Sequence, residues 1–77
     1  MILGEPYKHK SNTDVAFVAD SIVDQQDRLI LAVRWYNIVN QSNIFFINYD
    51  EIEIKNADIE KWERINVSTR GVFWSNL

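Results

Sequence analysis

The sequence has no cysteine, which excludes disulfides, removes thiolate metal ligands and fits a chain that folds without an oxidising compartment. Histidine occurs once, as His9 between Lys8 and Lys10. A zinc site would need several carboxylates to complete its coordination, and a hydrolytic triad would have to recruit that same imidazole. His9 therefore reads as an exposed or strand-edge side chain. Ser11, Ser21, Ser42, Ser68 and Ser75 lie in no nucleophile-elbow motif. Acidic neighbours such as Asp50-Glu51 read as a solvated turn rather than an acid and base pair. The chain reads as non-enzymatic, with no metal and no cofactor.

Glycine appears twice and proline once, so little marks the tightest turns. Long apolar runs are also missing. The longest, Leu29 to Val33, falls far short of the ~20 residues that cross a bilayer. The N-terminus, Met1-Ile2-Leu3-Gly4-Glu5-Pro6, lacks the basic start and apolar stretch of a secretory signal. The expectation is a cytoplasmic protein with no membrane partner.

What is present is an apolar content of 47% and an aromatic content of 13% over 77 residues. That is too rich for disorder and fits one β-rich domain spanning residues 1–77. A native state of this length is stable by ~4 to 12 kcal/mol, so one core cavity is enough to threaten it. Apolar runs alternate with short polar turns about every ten residues, a spacing typical of small sandwiches and barrels.

Val15 to Val23 reads as a strand with Val15, Phe17 and Ala19 on one face and Ala16, Val18 and Asp20 on the other. Arg28 to Tyr36 carries the clearest two-residue rhythm, Leu29, Leu31, Val33 and Trp35 alternating with Ile30, Ala32, Arg34 and Tyr36. Asp24-Gln25-Gln26-Asp27 joins these two as a hairpin loop of about four residues. Asn40-Gln41-Ser42-Asn43 turns the chain again. Ile44 to Tyr49 then predicts a third strand, and Ile52 with Ile54 a fourth, whose other face is charged. Asn56 to Trp62 predicts a short helical turn with Asp58 as its N-cap. A return strand through Trp62, Ile65 and Val67 follows, with residues 66–77 as a tail or covering segment. The fold expected is all-β: about five antiparallel strands forming a small barrel or a strongly twisted sheet, with one short helical turn.

The order Gly4-Glu5-Pro6-Tyr7-Lys8-His9-Lys10, a strand around Phe17, a strand ending Trp35-Tyr36-Asn37, an Ile52-Ile54 strand and Asp58-x-x-Lys61-Trp62-Glu63 resembles small all-β proteins encoded by tailed bacteriophages. Many of these are similar to Src-homology-type barrels. The resemblance spans roughly Gly4 to Ile65 and implies an origin in an infected bacterium. It transfers no functional residue.

Eight basic residues face eleven acidic ones, for a net charge of −3 and a pI near 4.9. No general attraction to phosphate follows from that balance. A nucleic-acid interface would have to converge Lys8, Lys10, Arg28 and Arg34 on one face. Asp50, Glu51, Glu53, Asp58, Glu60 and Glu63, countered by Lys55, Lys61 and Arg64, form an acidic stretch that reads as a solvated face.

The aromatics exceed what one sheet face can hide. Adjacent pairs such as Phe45-Phe46 and Trp35-Tyr36 point to opposite faces, which requires two buried faces, an interface or a ligand pocket. Val72-Phe73-Trp74 is a candidate cover for the outer face. Tyr7, Trp35, Tyr36, Trp62, Phe73 and Trp74 are the candidate contact residues. The function expected is protein binding, either to another protein or by self-association, as a phage accessory protein or an inhibitor of a host factor. A small nucleic-acid-binding barrel and a nucleotide-binding receptor are the alternatives.

Overall fold

The computed structural model describes residues 1–40, 43–65 and 73. Five strands form one antiparallel sheet: β1 (Pro6–His9), β2 (Asn12–Asp24), β3 (Arg28–Asn40), β4 (Asn43–Lys55) and β5 (Trp62–Arg64), in the order β4-β3-β2-β1-β5. A 3-10 helix, Asn56–Lys61, connects β4 to β5. Of the two forms expected, the sheet is the open, twisted one. It does not close into a barrel, because β4 and β5 lie at opposite edges and do not pair. The three residues of β5 pair with β1 as Tyr7↔Arg64, Lys8↔Glu63 and His9↔Trp62.

Strands β2, β3 and β4 have 13 residues each. At ~3.3 Å per residue a flat strand of that length spans ~40 Å, more than the 37 Å of the longest molecular axis. Bulges supply the bend. Ala19 pairs with Val33 and Ser21 with Ala32, leaving Asp20 as an extra residue in β2. Trp35 pairs with Asn48 and Tyr36 with Phe46, leaving Ile47 as an extra residue in β4. Each insertion kinks its strand and increases the local twist.

Several boundaries differ from the sequence expectation. The β2–β3 loop is only residues 25–27, because Asp24 still pairs with Leu29, and the Gln25 N–H donates to the Arg28 carbonyl (2.9 Å). The strands expected separately at Ile44–Tyr49 and Ile52–Ile54 are one strand, β4, since Asp50 and Glu51 stay extended opposite Val33 and Ala32. They are polar because they face water, and nothing in the backbone turns there. Asp58 is not the N-cap of the helical turn. That position falls on Lys55, without a side-chain cap, and Asp58 instead pairs with Lys61 (3.0 Å). The return strand stops at Arg64, and Val67 lies outside the described residues.

Both sheet faces bury a core, which accommodates the adjacent Trp35 and Tyr36 but leaves Phe45 and Phe46 exposed. On one face Tyr7, Phe17, Ala19, Leu29, Leu31, Val33 and Ile54 cluster, with Trp35, Ile59 and Trp62 packed against them. The 3-10 helix and Trp62 cap this side. On the other face Ala16, Val18, Tyr36, Ile44 and Phe73 form a smaller cluster, with Ile38 and Ile65 beside it. Phe73 lies in the second core, wholly buried. Gly4 has a φ of 77°, a left-handed conformation that favours glycine. It sits in a turn closed by the Glu5 N–H donating to the Ile2 carbonyl (3.4 Å), while its own N–H donates to Ala19 (3.1 Å).

Candidate functional site

The six aromatic candidates divide between interior and surface. Tyr7 is a core side chain, stacked on Phe17 with ring centroids 6.0 Å apart, and its hydroxyl accepts from the Ile2 N–H (2.9 Å). Tyr36 and Phe73 are fully buried in the second core, edge to face at 4.9 Å. Their position makes them supports of a surface rather than its contact atoms. Trp35 and Trp62 are half-buried and lie 6.3 Å apart. Trp74 lies outside the described residues.

The two tryptophans line an open cleft of about 330 Å³ between the C-terminal half of β4 and the 3-10 helix, with His9, Ile52, Ile54, Asp58 and Lys61 also in its wall. The cleft exists because β4 and β5 leave the sheet unclosed at this point. His9 meets Trp62 edge to face at 4.9 Å, a cross-strand pair of β1 and β5. The polar groups here already have partners. Trp35 Nε1 donates to Asp50 Oδ2 (3.2 Å), the Ser11 N–H donates to His9 Nδ1 (3.0 Å), and Lys61 pairs with Asp58. With Glu53 also in the lining, the cleft offers no net positive charge to a phosphate.

The four cations of the nucleic-acid alternative do not form a free basic patch. Arg34 is 4% exposed, and its Nε lies 3.0 Å from Asp20 Oδ1. Arg28 pairs with Asp27 (3.0 Å) and Glu53 (3.3 Å), and Lys8 with Glu63 (3.6 Å). Lys10 is exposed in the β1–β2 connection. Among the described residues no cluster of His, Asp and Glu is arranged to hold a metal ion, and no helix is long and apolar enough to cross a membrane.

The most exposed apolar surface lies elsewhere, on β4. Phe45 is 57% exposed, Phe46 37%, Ile47 50% and Tyr49 70%. Phe46 and Tyr49 touch edge to face at 5.1 Å, and Phe46 rests on Tyr36 at 5.9 Å. Among the described residues β4 pairs with β3 alone, so its outer edge presents unpaired backbone N–H and C=O groups beside these side chains. The residues from Asn43 to Tyr49 carry no charge, whereas Asp50, Glu51, Glu53 and Lys55 follow within the same strand.

Sequence reasoning noticed the Phe45-Phe46 pair but did not place it at a site. The available signal was the uncharged run ahead of the acidic one. That the run belongs to an edge depends on strand order, which periodicity does not encode. In comparisons with known proteins, no family model, no curated protein and no solved structure matches the chain.

Proposed function

We propose that the chain is a non-enzymatic binding module that acts by protein–protein contact along the outer edge of β4. One observation carries this reading: an uncharged, aromatic half-strand stands exposed on an edge that pairs with nothing among the described residues. Edge strands are ordinarily blunted by charge, shortness or cover, because an open row of donors and acceptors templates pairing with another chain. In β4 only the C-terminal half is guarded that way, by Asp50, Glu51 and Glu53. Strand addition supplies affinity through main-chain hydrogen bonds, and side chains on alternate positions supply specificity. Service as a phage accessory protein or host-factor inhibitor is the setting that the sequence resemblance suggests for such a module.

Photo-crosslinking tests the reading. A benzophenone amino acid replaces Phe45, or in a control Glu60, and each variant is irradiated both purified and in bacterial lysate. The proposal expects protein adducts from position 45 and none from position 60. A position 45 that yields no adduct with any protein refutes it.

A further inference from the structure

We infer that the partner fitting the β4 edge is a second copy of this chain, joined antiparallel about a two-fold axis at Phe45 to make one continuous ten-stranded sheet. The inference rests on the binding reading above and names its partner.

Charge along the edge selects which half can pair with itself. An antiparallel pairing centred on residues 50–53 would set Asp50, Glu51 and Glu53 of the two copies against one another, and like charges directly opposite are destabilising. A pairing centred in residues 43–49 meets only uncharged side chains. The acidic half thus excludes the competing registers while the uncharged half stays free to pair.

The pleat then fixes the axis. In an antiparallel pair, residues directly opposite point to the same face of the sheet, so a two-fold axis must set residues of like facing against each other. Ile44 and Phe46 lie opposite Ile38 and Tyr36 of β3 and face the second core, whereas Phe45, opposite Asn37, faces the other side. An axis at Phe45 sets Phe45 against itself and Ile44 against Phe46 of the second copy, which satisfies the facing rule. An axis at Phe46 would set Ile44 against Asn48, which lies beyond the Ile47 bulge opposite Trp35 and faces the wrong way. The axis at Phe45 also places both bulges at the ends of the paired segment, where a register shift does least harm.

Size is consistent with a modest dimer. With ~200 Å² for each large side chain, the exposures of Phe45, Phe46 and Ile47, the large apolar side chains exposed within the paired segment, leave about 300 Å² of apolar surface per copy. Two copies contribute about 600 Å², and the paired backbones enlarge the contact toward the ~1,000 Å² of the smallest specific interfaces. Strands of opposite direction joined on the same faces also extend each sheet with its twist.

Sedimentation equilibrium of the purified full chain, across micromolar to near-millimolar concentration, tests the inference beside Phe45→Lys. Phe45 is exposed, so that variant keeps the fold, which circular dichroism checks. The expected result is a mass that doubles with concentration for the native chain, an association at least tenfold weaker in Phe45→Lys, and a purified photo-adduct from position 45 mapping to residues 44–46 of the second copy. A native chain that stays monomeric throughout, yet whose position 45 crosslinks a different protein in lysate, overturns the second-copy inference and leaves the binding reading standing. A monomer with no adduct at all overturns both. A dimer unaffected by Phe45→Lys places the contact elsewhere and overturns the edge assignment.

Discussion

Replacing Tyr36 by phenylalanine removes one oxygen and leaves the ring, so it isolates the polar chain that ties Phe73 to the sheet. The hydroxyl donates to the Phe73 carbonyl (2.8 Å) and accepts from Arg34 Nη1 (3.1 Å), while Arg34 Nε bonds Asp20 Oδ1 (3.0 Å). Tyr36 and Phe73 are fully buried and Arg34 is nearly so, so water has poor access to repair the loss. A buried carbonyl and a guanidinium N–H would each lose a partner, at ~1 to 3 kcal/mol apiece. The total of about 2 to 6 kcal/mol is a large share of the ~4 to 12 kcal/mol expected for a chain of this length. In urea, with a slope of ~1 kcal/mol per molar for so small a protein, the midpoint should fall by about 2 to 6 M. Phe73→Ala, which removes a buried ring, should cost ~3 to 5 kcal/mol by itself. Because both changes loosen the same segment, the double variant should fall short of additivity by at least ~1 kcal/mol. A Tyr36→Phe midpoint within ~0.5 kcal/mol of the native one, or strict additivity with Phe73→Ala, would refute the clamp.

Leu31 is wholly buried at the centre of the first core, so Leu31→Ala should cost ~2 to 5 kcal/mol in the same urea assay, and a loss below ~1 kcal/mol would contradict that core. Asp27 takes hydrogen bonds from Arg28 Nε and Nη2 (3.0 and 3.3 Å), and these, with the attraction of the guanidinium charge, hold its carboxyl below the ordinary 3.8. A lowered folded value means that the small stabilisation is present above the unfolded value and is lost as pH falls through the folded one. Carbon-detected NMR titration should place the Asp27 midpoint below 3.8 and show it rising in Arg28→Gln, and a midpoint indifferent to that change would contradict the pairing.

The rhythm of Leu29 to Trp35 made β3 legible because β3 is central, where each alternate side chain meets a definite face. The same logic misreads an edge. Asp50 and Glu51 interrupt the apolar pattern of β4 because they meet water, and their polarity looks like a turn although they pair in register with β3. Asp20 illustrates a second limit. Alternation sets it on the face of Val18, the face on which it meets Arg34, but the bulge that makes it an extra residue of β2 leaves no mark on that alternation. Arg34 accordingly looks like a surface cation in the sequence and is a buried one in the fold. The cover supplied by Phe73 was legible as a need, since the adjacent Trp35 and Tyr36 point to opposite faces and so demanded a second buried face. The open edge was not, because strand order is set by non-local pairing of β5 with β1.

The clamp and the proposed interface meet at one side chain. The Tyr36 ring supports Phe46 on one side at 5.9 Å and packs against Phe73 on another at 4.9 Å. Its hydroxyl bonds Arg34 and Phe73 within the clamp, whereas its ring serves both. Tyr36→Phe should therefore lower stability while leaving the shape of the β4 edge intact, and Phe45→Lys should weaken association while leaving the second core intact, because Phe45 faces away from it. Opposite outcomes in two independent assays are what separates a surface built for contact from apolar residues that merely lacked room inside. If both variants moved both properties together, β4 would be an overflow of the second core, and its exposed aromatics would need no partner to explain them.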